Sequence, residues 1–252
     1  MKTKIGAIVL SAIMLIVFLL AACKTTPNPL DTPTLPNPFD TPVSDIDQFL
    51  KVWEEQGWQL DGPDREGSFF AKYVGNEKKV FVSKYFGDIS SSFPNCVEEI
   101  IVEDGNKYYV SVDGVLYNPG VTFIIYPQSK LDKKYVMPKF VEKCRGIPGG
   151  KYTEEVVLNS QVEVYSDGHG VYSTGCPPKL KSIQVPNDNP YYSTIDGVLF
   201  NMDKTTLYLY PPNKKGTSYT VPDSVTLIQQ GAFSSQVDVI LPPDCVWGQQ
   251  EI

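Results

Sequence analysis

The 252-residue chain contains a single histidine, His169. That removes most histidine-built metal sites and leaves one candidate for any imidazole-dependent catalysis. It has no C-x-x-C pair, so a four-cysteine zinc site lacks its usual close spacing. It has no G-x-S-x-G, H-E-x-x-H, Walker loop or dinucleotide fingerprint. It also lacks a D-x-[DN]-x-[DN]-G loop, so the acidic pairs Glu98-Glu99 and Glu154-Glu155 read as solvated strand faces rather than calcium ligands. Lysine and arginine number 22 against 29 aspartates and glutamates, a formal charge of −7, so there is no overall basic footprint for tracking phosphates and nucleic-acid binding is disfavoured. No cofactor is expected. After residue 90 no segment carries a sustained helical period.

The positive signals begin at the N-terminus. Lys2 and Lys4 precede an apolar run from Ile5 to Leu20, the order of a secretory signal peptide. The run ends in Leu20-Ala21-Ala22-Cys23, which resembles the lipobox of bacterial lipoproteins: branched apolar, small, small, cysteine. The resemblance implies cleavage before Cys23 and acylation of its thiol and new amino group. Each buried methylene is worth about 0.8 kcal/mol, and two or three chains give a stable anchor where one does not. The alternative is an uncleaved transmembrane helix, since a span needs roughly 20 residues.

Residues 24–43 read KTTPNPLDTPTLPNPFDTPV, with prolines at 27, 29, 33, 36, 38 and 42. Proline fixes φ and removes donors, so residues 23–43 are expected to be an extended tether that lifts the folded part roughly 50–60 Å from a bilayer. Beyond Cys23 stand Cys96, Cys144, Cys176 and Cys245. An even number in an exported chain permits up to two disulfides in any of three pairings. Buried free thiols are the alternative, because cysteine packs as a small hydrophobe.

Without residues 1–22 about 230 residues remain, enough for one large domain or two small ones. Ser44 reads as a helix N-cap with Asp45 and Asp47 suiting the N-terminal dipole. Ile46, Phe49, Leu50 and Trp53 form one apolar face, and Gly57 stops the helix. SFFAKYV and KKVFVSKYF around Gly75-Asn76 read as two strands of a hairpin. Residues 44–90 are therefore expected to form an α+β capping unit, closing the apolar end of a repeat region spanning 91–252.

That region contains an internal duplication. NKYYVSVDGVLYN begins at Asn106 and NPYYSTIDGVLFN at Asn189, 83 positions later, with eight of thirteen residues identical. VEEIIV at Val97 matches LKSIQV at Leu180, FIIYP at Phe123 matches LYLYP at Leu207, and YVMP at Tyr135 matches YTVP at Tyr219. Each copy reads as a short strand (with Leu180, Ile183 and Val185 inward in the second), then an Asp-Gly hairpin at 113–114 or 196–197, then another strand ending at Tyr-Pro. Prolines 127, 138, 186, 211, 222 and 242 stand just after strands, where a missing N–H costs little.

LKSIQVP at 180–186, YTVPDSVTLIQQGAF at 219–233 and VDVILP at 237–242 resemble the BspA-like class of leucine-rich repeat. The chain departs from that pattern over residues 140–176, and Gly231-Ala232-Phe233 lacks a good partner in the first copy, where Gly146-Ile147-Pro148 stands. The resemblance implies a mainly β leucine-rich-repeat solenoid of short parallel strands and hairpins. It further implies a surface-exposed, non-enzymatic protein engaged in adhesion.

Two candidate sites remain. Ser166-Asp167-Gly168-His169-Gly170 holds a hydroxyl, a carboxylate and the imidazole, but three neighbours in a glycine turn cannot easily aim at one another, so a hairpin tip is the expectation. The fifteen tyrosines offer Tyr108, Tyr109, Tyr191, Tyr192, Tyr208 and Tyr210 as binding-surface aromatics, with cross-strand packing as the competing role. The function expected is a lipid-anchored envelope protein, at the outer membrane or cell surface, presenting its repeats to a protein or glycan. A periplasm-facing scaffold and a cell-wall hydrolase or accessory enzyme using His169 are the alternatives.

Overall fold

Residues 43–119, 123–165 and 176–248 are described by the structure, a computed structural model. Cys23, the tether up to residue 42, and the 166–170 tract with His169 lie outside them. Among the described residues no helix is long and apolar enough to cross a membrane.

Helix α1 (Val43–Glu55) ends as Gly57, at φ +89°, donates its N–H to the Glu54 carbonyl, a conformation that suits a residue without Cβ. Ser44 lies within the helix and so does not cap it from outside. Phe49 and Trp53 are buried, with Phe49 stacked on Phe69 at 5.1 Å and Trp53 edge-on to Phe86 at 5.0 Å. A hairpin comes next, although its strands are not the expected pair. β1 (Trp58–Asp61) runs antiparallel to β2 (Phe69–Tyr73), and β2 lies parallel to β4 (Phe86–Ile89). β3 (Lys79–Val82) pairs with β5 (Glu99–Val102), parallel and across residue 90. The Gly75-Asn76 turn does not fold β3 back on β2 because Val74 and Gly75 both donate to the Gly57 carbonyl, tying that corner to the end of α1.

From here the chain is a β-solenoid of about eight turns. One ladder of parallel strands comprises β3 and β5, then β9 (Lys134–Val136), β11 (Glu155–Val157) and β13 (Ser182–Gln184), then β17 (Ser218–Thr220) and β19 (Asp238–Ile240). The other comprises β2 and β4, then β10 (Lys143–Arg145) and β12 (Glu163–Tyr165), then β16 (Thr206–Leu209), β18 (Leu227–Ile228) and β20 (Val246–Trp247). Register sets the coil length: Lys79 pairs with Glu99, Lys143 with Glu163 and Ser218 with Asp238, each twenty residues on.

The duplicated segments form hairpins inserted into the second ladder: β6 (Val110–Val112), β7 (Val115–Asn118) and β8 (Phe123–Ile125) in one copy, and β14 (Tyr192–Ile195), β15 (Val198–Asn201) and β16 in the other. Their tips hold Asp113 at φ +49° with Gly114 at +72°, and Asp196 at +50° with Gly197 at +77°, the mirror-image turn whose twist matches the strands. Each tip docks on the first ladder in place of the next coil. Ile100 donates to the Gly114 carbonyl at 3.0 Å, and Ile183 to that of Gly197 at 2.9 Å. The 83-residue offset is therefore one block of coils plus its hairpin.

Prolines 127, 138, 186, 211, 222 and 242 each open a turn whose first carbonyl accepts the N–H three residues on: Lys130, Val141, Asn189, Lys214, Val225 and Cys245. The core lies between the ladders, where Val156, Leu158, Leu180, Ile183, Leu199 and Leu209 are no more than 1% exposed. Each such aliphatic contributes about 1.5–3 kcal/mol by leaving water. A second cluster around Phe200, Leu207, Val221 and Ile228 fills the C-terminal coils, with Val185 half-buried against the first. Residues 140–165, where no clean repeat is visible in the sequence, carry β10, β11 and β12.

Candidate interaction face

Strand alternation sends one residue of each rung inward and its neighbours outward. On the first ladder Val80, Ile100, Tyr135, Val156 and Ile183 point in. Two rows in register face out. Lys79 and Glu99, then Lys134, Glu155 and Ser182, then Ser218 and Asp238 form a charged and polar row. Phe81 and Ile101, then Val136, Val157 and Gln184, then Thr220 and Ile240 form a mostly apolar one. Val136 and Ile240 are 59% and 54% exposed, Ile101 and Val157 are half-buried, and Phe81 is stacked on the buried Trp53 of α1 at 6.2 Å.

The charged row is cross-linked between coils. Lys79 meets Glu99 and Lys134 meets Glu155, both at 2.9 Å, and Gln184 Nε2 donates to Glu155 Oε1 at 2.6 Å. Just before it, Lys78 meets Glu98 at 2.8 Å, and Glu154 accepts from both Lys181 and Lys133. Lys181 first, then Lys133, hold the Glu154 carboxyl below its ordinary range. Exposed pairs of this kind contribute little stability each. Their consequence is a locally neutral border beside the outward aliphatic row, the composition of a protein-binding surface whose charges are already paired.

The six candidate tyrosines divide. Tyr109, Tyr192 and Tyr210 are 5%, 6% and 2% exposed and belong to the core, which corrects their assignment to a binding surface. Tyr109 Oη accepts the Ile89 N–H at 3.1 Å. Tyr192 Oη accepts the Val164 N–H at 3.1 Å and donates to the Val164 carbonyl at 2.7 Å. Both hydroxyls satisfy backbone groups on the last strand of the second ladder before a hairpin, β4 or β12, which is why tyrosine rather than phenylalanine stands there. Tyr210 stacks on Phe233 at 5.1 Å. Tyr208 is half-buried, edge-on to Tyr192 at 5.7 Å. Tyr191 is exposed. Tyr108 is half-buried, donates to Glu66 Oε2 at 3.2 Å, and borders a cleft of about 490 Å³ with Asp61, Asp64, Phe70 and Asp88. Asp64 closes the loop beside that cleft by accepting the Ser68 and Glu66 N–H groups at 2.9 and 2.8 Å, which hold its carboxyl below its ordinary range.

Cys96, Cys144, Cys176 and Cys245 are all free thiols, so the disulfide alternative is not realised in this structure. Cys144 stands 84 residues before Ile228, the offset that separates Phe123 from Leu207, and both side chains are buried. Cys245 closes the same kind of turn as Val141 and Val225. Cysteine here substitutes for an aliphatic residue.

The residues that sequence reasoning missed are asparagines. Asn189 Nδ2 donates to the Asn159 and Val162 carbonyls at 3.0 and 3.2 Å, while its Oδ1 accepts the Tyr191 and Tyr192 N–H groups at 2.9 Å. Asn106 does the same with Ser83, Phe86, Tyr108 and Tyr109. Asn159 does so with Pro138, Val141, Gln161 and Val162. The available signal was that asparagine opens both copies of the duplication.

No protein-family model and no curated protein matches the chain. Among solved structures it is similar to a leucine-rich repeat protein from Eubacterium ventriosum, at 13% identity and TM-score 0.43, covering 73% of this chain and 57% of that one. It is also similar to a leucine-rich cell surface protein from Faecalibacterium prausnitzii, at 18% identity and TM-score 0.41, covering 63% and 39%. The pneumococcal vaccine antigen PcpA is a third, at 18% identity and TM-score 0.30, covering 68% and 56%. The chain thus spans about half the length of these proteins.

Proposed function

We propose that this chain is a lipid-anchored, non-enzymatic envelope protein that presents the outer face of its first strand ladder to a protein or glycan outside the cell, in adhesion. The observation that carries the reading is the outward-facing row that holds the aliphatics Ile101, Val136, Val157 and Ile240, of which Val136 and Ile240 are exposed, bordered by lysine–glutamate pairs already matched to one another. Isolated exposed apolar residues are ordinary, whereas outward aliphatics on adjacent coils, as at Val136 and Val157, form a surface suited to contact. The lipobox at Cys23 and the proline-rich segment after it supply the anchor and the reach.

Two measurements test the two halves. Incorporation of a fatty-acid analogue should occur in the parent and vanish in Cys23→Ser; an unlabelled parent or a labelled variant refutes the anchor. Beads coated with the folded protein should adhere to cell layers, and Val136→Asp with Val157→Asp should lower adherence several-fold without moving the melting temperature. Undiminished adherence of that variant refutes the role of the ladder face.

A further inference from the structure

Each of the turns Pro127–Lys130, Gly150–Thr153, Pro177–Leu180 and Pro211–Lys214 is closed by a hydrogen bond from its fourth N–H to its first carbonyl, and each carries a lysine: Lys130, Lys151, Lys179 and Lys214, with Lys215 next. The turns stack. Lys151 N donates to the Gln128 carbonyl at 3.1 Å and Asn213 N to that of Leu180 at 2.8 Å, and Pro177 lies against Gly149. Lysines of successive coils therefore emerge along one ridge, with adjacent coils spaced about 4.8 Å apart.

All but Lys130 differ from the lysines on the strands or just before them. Lys78, Lys79, Lys134, Lys143 and Lys181 each meet a glutamate on a neighbouring coil. Lys130 is likewise matched, by Asp132 at 2.8 Å. Lys151 and Lys179 have no ion-pair partner among the described residues. Their ammonium groups instead stand over the same ring, each 5.1 Å from the centroid of Tyr152. The two charges are thus held within about 10 Å of one another by an attraction that fixes position and leaves the charge unneutralised. Lys214 Nζ donates to the Asp196 carbonyl, which adds no counter-charge, and Lys215 is exposed. In a chain of formal charge −7, this is a local reversal of sign.

We infer that the ridge of Lys151, Lys179, Lys214 and Lys215, positioned in part by Tyr152, binds a linear anionic polysaccharide whose carboxylates run along the stacked turns. An acidic peptide fits less well. Peptides gain affinity on repeat and sheet surfaces by pairing with a free strand edge, and these four turns lie outside every strand. A polymer that brings charge at close intervals asks for ammonium groups alone. This site is separate from the strand face of the proposed function and stands or falls without it.

The test is titration of the full chain with polygalacturonate in low salt, then at rising salt. Binding should be saturable, and Lys151→Gln with Lys179→Gln should weaken it about tenfold or more and reduce the slope of log affinity against log salt by about two. Lys72→Gln, an exposed lysine on β2, should bind as the parent does. Poly-L-glutamate at equal charge concentration should bind far more weakly. Absence of polygalacturonate binding, an unaffected double variant, a Lys72→Gln variant weakened as much as the double one, or equal binding of poly-L-glutamate each overturns the inference.

Discussion

Asn189 illustrates how much of this fold hangs on single polar side chains. It is 1% exposed, and it bonds four backbone groups that the ladders leave unpaired. Replacement by alanine strands buried donors and acceptors at about 1–3 kcal/mol each, so Asn189→Ala should cost about 3 kcal/mol or more. Urea unfolding measures this, and a loss below about 1 kcal/mol contradicts the role. Asn106, Asn159 and Asn189 were not legible beforehand because asparagine beside proline, lysine or serine reads as an ordinary turn. The cysteines were half-legible: the sequence allowed bridges or buried thiols, and Cys144 fills the place that Ile228 fills one block later. Burial pushes the Cys144 and Cys176 thiols up to about 12, so both stay protonated at pH 8. Alkylation at that pH should spare Cys144 in the native protein and reach it in urea; native modification of Cys144 contradicts its burial.

Among the elements, the Asp-Gly hairpins were the most legible, since the turn chemistry is local and the copies repeat it. Their docking was not, because a carbonyl facing the next strand leaves no mark on residue type. That docking distinguishes the two glycines. A Cβ on Gly197 would meet Ser182 Cβ at 2.7 Å and its Cα at 3.0 Å, whereas on Gly114 it would meet Glu99 Cγ at 2.7 Å, with Glu99 Cα at 3.4 Å. The long Glu99 side chain can swing away and the Ser182 backbone cannot. Both substitutions carry the strain of positive φ, about 1 kcal/mol, but Gly197→Ala should lower the melting temperature clearly more than Gly114→Ala. Equal effects would place the tips off the ladder. The coil period of about twenty residues escaped notice for a related reason. The step from Glu155 to Ser182 takes twenty-seven residues, and the inward places accept tyrosine, cysteine, valine or isoleucine alike. The N-terminal hairpin was misread at its second strand, because alternation in KKVFV fits a parallel rung as well as a hairpin arm.

At the scale of the whole molecule, a core rich in tyrosine sets the response to alkali. Burial pushes the Tyr117 and Tyr219 hydroxyls up to about 12 and raises those of Tyr135 and Tyr192 as well. A group whose folded pKa is raised contributes its full stability below the unfolded value and loses it as pH climbs toward the folded one. The melting temperature should therefore hold up to about pH 10 and fall from there toward pH 12. Titration by ultraviolet absorbance should show a group of tyrosines that ionises only as the fold opens; ionisation of all fifteen near pH 10 with the fold intact contradicts their burial. The mainly β repeat architecture was legible from the duplication, the Asp-Gly turns and the proline spacing together, while the outward aliphatic row was not, since facing out is a property of register. The central claim is that this register is displayed to the outside of the cell. Protease treatment of intact cells, with released peptides identified by mass spectrometry, tests it most directly. Peptides from residues 43–248 should appear before the cells are broken; their appearance only after lysis would contradict it.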